Sequence, residues 1–357
     1  MVNESGLKVR PGKGAVNMKK RISFGVIVLW VPVFFWVFGQ AAAKAQTIEL
    51  KLAHFMSPQH IQHQKSFEPF SQKVAELTNG KVNIKIYPGG ALGGPKQLPD
   101  AAKTGITDIA FIIPSYTTAR FPRISALDLP FLCDSAVQTT EVIYALYEKD
   151  FAEDFNEFKV LWLYSAGPGQ LQSATKAMTT AEALEGMKMR APSAYMTKAL
   201  QLIGANPVGM PISELTMSLQ KKVIDGMLTP YSAVEDFRLY DLVTHITELN
   251  MYVTPMAVVM NKEKYNALPD FAKKAIDEAS GQQWGLHAAR VYDDHDGNTL
   301  KEIIKRGKIK VYQLPDAEKQ KIVSKVKPLE AEWLAETSQK GVAAQQILTD
   351  IKNFAKK

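Results

Sequence analysis

Cysteine is almost absent from this 357-residue chain: Cys133 stands alone, which excludes an internal disulfide and any multi-cysteine metal site. With Leu129-Pro130-Phe131-Leu132 just before it, Cys133 is expected to pack as a small apolar residue. Missing too are the Gly-x-Ser-x-Gly elbow, Cys-x-x-Cys, His-Glu-x-x-His and the Gly-Lys-Ser/Thr of a phosphate loop. Gly89-Gly90-Ala91-Leu92-Gly93-Gly94 lacks the lysine and hydroxyl that grip phosphate, so it reads as a turn. Gly167-Pro168-Gly169 lacks the third glycine of a dinucleotide loop, and its proline removes a backbone donor. No nucleophile, base and orienter can be named together, and no enzyme activity is expected.

The body also lacks a charge of one sign. The formal net charge is +7, but seven basic residues and one acid lie in the first 45 positions, leaving 36 basic and 35 acidic residues beyond. A near-neutral body has no cationic field for polyphosphate, so nucleic acid is not an expected partner. Long apolar runs are scarce as well, the one exception being Ile22–Phe38.

What is present begins with that run. Lys19-Lys20-Arg21 precedes it and Ala41-Ala42-Ala43-Lys44-Ala45 follows, giving the cationic, apolar and small-residue parts of a secretory signal over residues 1–45. Cleavage is expected near Gln46, with translation starting at Met18 as an option; an uncleaved anchor is the alternative.

Ile48, Leu50 and Leu52 alternate with polar neighbours, as do Val82, Ile84 and Ile86, the period of half-buried strands. Phe67, Phe70, Val74 and Leu77 between them recur at helical spacing, and Asn79-Gly80 closes the helix. Further strands are expected at 106–113, 160–164, 187–190, 250–260 and 310–314, with helices at 137–155, 193–203, 213–221 and 316–357. From Pro269 to about Lys305 the pattern stays helical, so that a long helix either bends at Gly281, Gly285 or Gly297 or braces two lobes. Alternation of this kind predicts an α/β class with mostly parallel sheets.

Three candidate clusters carry chemistry. His54, His60 and His63 offer metal-ligating groups, but spacings of six and three do not put all three on one helical face, and core packing is the expected role. Asp293, Asp294, His295 and Asp296 are successive on a helix and are read as a solvated face. Arg190, in Lys188-Met189-Arg190-Ala191-Pro192, sits where a strand ends, the position at which open α/β sheets place a ligand crevice. Its guanidinium matches a carboxylate in a two-pronged contact, while a structural ion pair is the alternative.

Tyr87-Pro88-Gly89-Gly90-Ala91-Leu92-Gly93, Leu129-Pro130-Phe131-Leu132, Leu184 to Arg190, Gly204-Ala205-Asn206-Pro207 and Leu219 to Gly226 occur in that order. This series resembles the substrate-binding subunits of tripartite ATP-independent periplasmic (TRAP) transporters, of the dicarboxylate-binding type. The resemblance implies a periplasmic protein with a two-lobed binding-protein fold: lobe I from 46–167 and about 254–292, lobe II from 168–253 and about 293–357. It implies a small carboxylate ligand, delivery to a TRAP membrane permease, and a carboxylate clamp at Arg190. A monomer is expected, with a dimer as the alternative; no cofactor is expected, and a metal ion bridging ligand and protein stays open.

Other pocket positions of the family's sugar-acid binders do not carry over: Gln170 stands where those have a second arginine, Phe55 and Thr229 where they have asparagines, and Ile113 where they have a glutamate. A site lined by Phe55, Ile113, Tyr116, Met210, Ile212 and Tyr231 would leave the hydroxyls of a sugar acid unpaired, so an organic acid with an apolar or aromatic body is expected. Gln170 and Thr229 are expected to hydrogen-bond the ligand. The rival readings are a binding protein serving another transporter or a sensor kinase, and a periplasmic enzyme.

Overall fold

The computed structural model describes residues 47–356; the expected signal segment and its cleavage point lie outside the described residues. The strands that alternation marks come first. β1 (Ile48–Ala53) and β2 (Val82–Tyr87) lie parallel, with the helix Glu68–Leu77 between them in sequence, and β3 (Ile109–Ile112) pairs parallel on the other side of β1. β4 (Phe158–Ala166) forms the opposite edge of this five-stranded sheet, and β10 (Thr254–Asn261) is inserted between β3 and β4, antiparallel to both.

A six-stranded second sheet is ordered β11-β9-β5-β8-β6-β7. Its strands are β5 (Gln170–Ser173), β6 (Lys188–Ala191), β7 (Asn206–Gly209), β8 (Gly226–Thr229), β9 (His245–Glu248) and β11 (Lys310–Gln313). β5 runs antiparallel to β8 and β9. Each sheet is therefore mixed, where mostly parallel sheets are expected from the sequence. The two antiparallel strands are those that follow a crossing of the chain: β4 leads into β5 through Gly167-Pro168-Gly169, and β9 returns to β10 through 249–253.

The two crossings hydrogen-bond to each other. Gly169 N–H donates to the Tyr252 carbonyl at 2.8 Å, and Met251 N–H donates to the Gly169 carbonyl at 3.0 Å. A Cβ at Gly169 would lie 2.0 Å from the Tyr252 ring, so glycine is what allows this approach.

Helix ends follow local rules. Ser193 caps the helix Ala194–Ile203 by accepting from Met196 N–H at 3.1 Å, and Gly204, at φ 105°, closes it in the left-handed region. The helical run after Pro269 is two helices, Asp270–Glu278 and Gly281–Arg306, parted at Gly281, whose φ is +79°. The second, 26 residues long, packs on β4, on the helix Ala136–Leu146 and on the short helix Ser232–Asp236 behind the second sheet, so it braces both lobes. Of the final helices, Asp316–Val326 and Pro328–Ser338 lie on Ala194–Ile203, whereas Ala344–Ala355 lies on Ala136–Leu146.

The four polar residues of the long helix are not a solvated face. Asp293 accepts from Ala136 N–H at 2.8 Å and Val137 N–H at 3.0 Å, satisfying donors that open a helix. Asp296 is buried and accepts from Ser232 N–H, and His295 faces Asp236 at 3.3 Å; only Asp294 is exposed. The short stretch of helix points in several directions, and three of the four meet a neighbour. Cys133 is buried in the main core, where desolvation pushes its thiol up to about 11. No helix among the described residues is long and apolar enough to cross a membrane.

Candidate functional site

Arg190 is the third residue of β6, flanked by β7 and β8, and it is only 2% exposed. A buried guanidinium needs partners, because an uncompensated interior charge costs several kcal/mol. The residue just after β7 and a residue of β8 supply two: Nε donates to the Met210 carbonyl at 3.1 Å, and Nη1 donates to the Leu228 carbonyl at 3.0 Å. Tyr252 fixes the same carbonyl, its hydroxyl donating to Leu228 O at 3.0 Å. The Nε side of the fork is thus occupied, while Nη2 makes no hydrogen bond among the described residues. Nη2 and the second hydrogen of Nη1 keep donor capacity, with the Tyr116 hydroxyl as their neighbour.

Arg190 lines a cavity with about 520 Å³ of atom-free space, counting its open mouth. Phe55, Phe111, Ile113, Ile212, Met256 and Pro192 make its apolar wall. Tyr116 stands beside Arg190; burial pushes its hydroxyl pKa up, with the arginine charge pulling the other way. The Tyr116 oxygen accepts the Ile212 N–H at 3.0 Å, joining the loop after β3 to the loop after β7. Behind the arginine, Asp128 is fully buried, and no hydrogen bond reaches either of its oxygens among the described residues; the Ser115 and Ser193 hydroxyls are near it without bonding geometry. Desolvation pushes this carboxyl up to about 7.

The structure brings five of the nine residues singled out from the sequence to the cavity: Arg190, Phe55, Ile113, Tyr116 and Ile212. The other four do not line it. Gln170 is spent on the crossing, its Oε1 accepting from Leu249 N–H at 2.8 Å and Asn250 N–H at 3.1 Å and its Nε2 donating to Pro168 O and Asn250 Oδ1. Thr229 is buried, with no partner for its hydroxyl among the described residues. Tyr231 donates to Glu248 at 2.8 Å, and Met210 contributes its carbonyl to Arg190 while its side chain packs in the second core.

Sequence reasoning missed Tyr252, Met256, Tyr292 and Asp236, which also line the cavity. Of the histidine trio, only His60 reaches it. His54 Nε2 and His63 Nδ1 are 2.8 Å apart and face each other, and burial holds His54 down to about 3. The three do not converge on one point, and among the described residues no group of three or more His, Cys, Asp or Glu side chains could hold a metal ion.

Two lobes joined by paired crossings, with a buried arginine at an apolar cavity, are the frame of a solute-binding protein. The chain belongs to bacterial extracellular solute-binding protein family 7, the DctP family, whose sequence profile matches residues 52–337. The family is extracytoplasmic and works with TRAP membrane permeases. A TRAP solute-binding protein from Rhodoferax ferrireducens, in complex with copurified benzoate, is similar at TM-score 0.83 and 33% identity, over 87% of this chain and 98% of that one. A marine metagenome TRAP protein specific for aromatic acid ligands, with bound metahydroxyphenylacetate, gives 0.83 and 32% over the same shares. The outer membrane transporter protein TsaT of Comamonas testosteroni is 24% identical over 338 residues, 93% of this chain and 97% of that protein.

Proposed function

We propose that this protein captures an aromatic monocarboxylate outside the cytoplasm and delivers it to a TRAP permease. The observation that carries the reading is Arg190: one guanidinium lining a cavity walled by Phe55, Phe111, Ile113 and Ile212. In this account the open form exposes Arg190, the ligand carboxylate takes the end of its fork, and the ring lies against the aromatic wall. Closure lowers the local dielectric and strengthens the pair, so the ligand selects the closed form. The similar proteins holding benzoate and metahydroxyphenylacetate support an aromatic body. Export by the N-terminal segment, binding without turnover and without a cofactor, and action as a monomer belong to the same proposal.

The test is a thermal-shift screen of the compact unit Ala45–Lys357 against aromatic, branched and keto acids beside sugar acids and dicarboxylates. A ligand at 100 times its Kd stabilises the fold by about 2.7 kcal/mol. Shifts with benzoate and its relatives are expected; shifts confined to galactonate, glucuronate or succinate would overturn the aromatic reading.

A further inference from the structure

The cavity has a second polar stretch that the carboxylate clamp does not use. His60, from the loop after β1, and Asp236, at the end of the helix Ser232–Asp236, both line it, and both side chains are 3% exposed. Ring contacts place them on a separate part of the wall. His60 meets Phe237 edge-on at 5.7 Å and Tyr292 at 6.3 Å, whereas Phe55 stands against Tyr116 beside Arg190.

The hydrogen-bond inventory of this pair is incomplete on one side. Asp236 Oδ1 is well met, accepting from Ile61 N–H at 3.1 Å and facing His295 Nε2 at 3.3 Å. Among the described residues Oδ2 has only His60 Nε2, at 3.4 Å, beyond the usual length for a charge-assisted bond. His60 Nδ1 accepts from Gln62 N–H at 3.1 Å, which puts the imidazole hydrogen on Nε2, toward Asp236. A buried carboxylate oxygen with spare acceptor capacity and an N–H beside it matches a group that both donates and accepts.

Resting on the aromatic-acid reading, we propose that His60 and Asp236 form a specificity subsite for a hydroxyl on the ligand ring, and that Asp236 excludes a second carboxylate. The phenolic O–H donates to Asp236 Oδ2 and its oxygen accepts from His60 Nε2. A second carboxylate brings acceptors only, and sets a like charge against Asp236 in a water-poor space. The protein therefore prefers hydroxylated aromatic monoacids to the bare ring and to benzenedicarboxylates. Sites built to bond a ligand hydroxyl discriminate strongly because their polar groups go unpaired when it is missing.

Calorimetric titration of the unit Ala45–Lys357 with benzoate, the three hydroxybenzoates and the benzenedicarboxylates tests this, in wild type and in Asp236→Asn. At least one hydroxybenzoate isomer is expected to bind wild type about tenfold more tightly than benzoate, roughly 1.4 kcal/mol. That advantage should shrink several-fold in Asp236→Asn, and the dicarboxylates should gain on benzoate there. Benzoate equal to all three hydroxybenzoates in wild type would overturn the subsite without any variant; so would an isomer advantage unchanged in Asp236→Asn. Failure of wild type to bind any of these acids would instead sink the aromatic-acid reading, and the subsite with it.

Discussion

Across the cleft, the main-chain N–H of Ile212 donates to the hydroxyl of Tyr116 at 3.0 Å, beside the guanidinium of Arg190. One phenol thus stands between the loop after β7 and the guanidinium proposed to hold the ligand. A single neutral hydrogen bond contributes about 1 kcal/mol, so Tyr116→Phe should weaken acid binding about fivefold. The loss should appear as faster ligand release, because the bond exists only when the lobes are together. Stopped-flow dissociation reads this; an unchanged release rate with slower association would place Tyr116 outside the closure.

Gly169 has no room for a side chain, since a Cβ there would fall 2.0 Å from the Tyr252 ring. Gly169→Ala should therefore push Tyr252 out of its contact with the Leu228 carbonyl and loosen the frame that orients Arg190. Overpacking of this kind costs about 1–3 kcal/mol, and both the melting temperature and acid affinity should fall. An intact melting temperature with lost affinity would show that the crossing adapts while the site does not.

Burial pushes the Asp128 carboxyl from 3.8 to about 7, against the pull of the Arg190 charge. The folded chain therefore keeps a proton that the unfolded chain releases through this range, and stability falls as pH rises toward 7. The slope from one such group reaches about 1.4 kcal/mol per pH unit. Asp128→Asn has no proton to lose, so its stability relative to wild type should climb through this range and level off above it. Urea unfolding at several pH values measures the difference; a constant difference would mean that Asp128 titrates as it does in the unfolded chain.

The sequence was most legible where its periodicity is local. The alternation in β1 and β2, the capped helix between Ser193 and Gly204, and the interruption at Gly281 all follow from neighbouring residues. β5, β8 and β9 were not foreseen: each is four residues long and buried or half-buried throughout, and such stretches alternate too briefly to show a period. The mixed pairing of the sheets escaped as well, since it is set by where the chain crosses between lobes.

At the site, Arg190 was legible because its motif carries it, and Phe55, Ile113, Tyr116 and Ile212 because they flank strand ends. Gln170 does not line the cavity because its amide is consumed by Leu249 and Asn250, a contact about eighty residues away that no pattern announces. Asp236 and Tyr292 were invisible for the same reason, each reaching the cavity from a helix whose local sequence reads as surface or brace. His60 was noticed, but for the wrong partners, since its neighbour in space is Asp236 and not His54 or His63.

The central claim is the carboxylate clamp, and calorimetric titration of benzoate into wild type, Arg190→Lys and Arg190→Ala tests it most directly. Hydrogen bonds to charged groups contribute about 1.5–3 kcal/mol each, so Arg190→Ala should lose affinity a hundredfold or more. Arg190→Lys should fall between, keeping a point charge without the planar fork. The melting temperatures of the unliganded variants separate loss of the clamp from loss of the fold. Benzoate affinity in a folded Arg190→Ala within threefold of wild type would contradict the account.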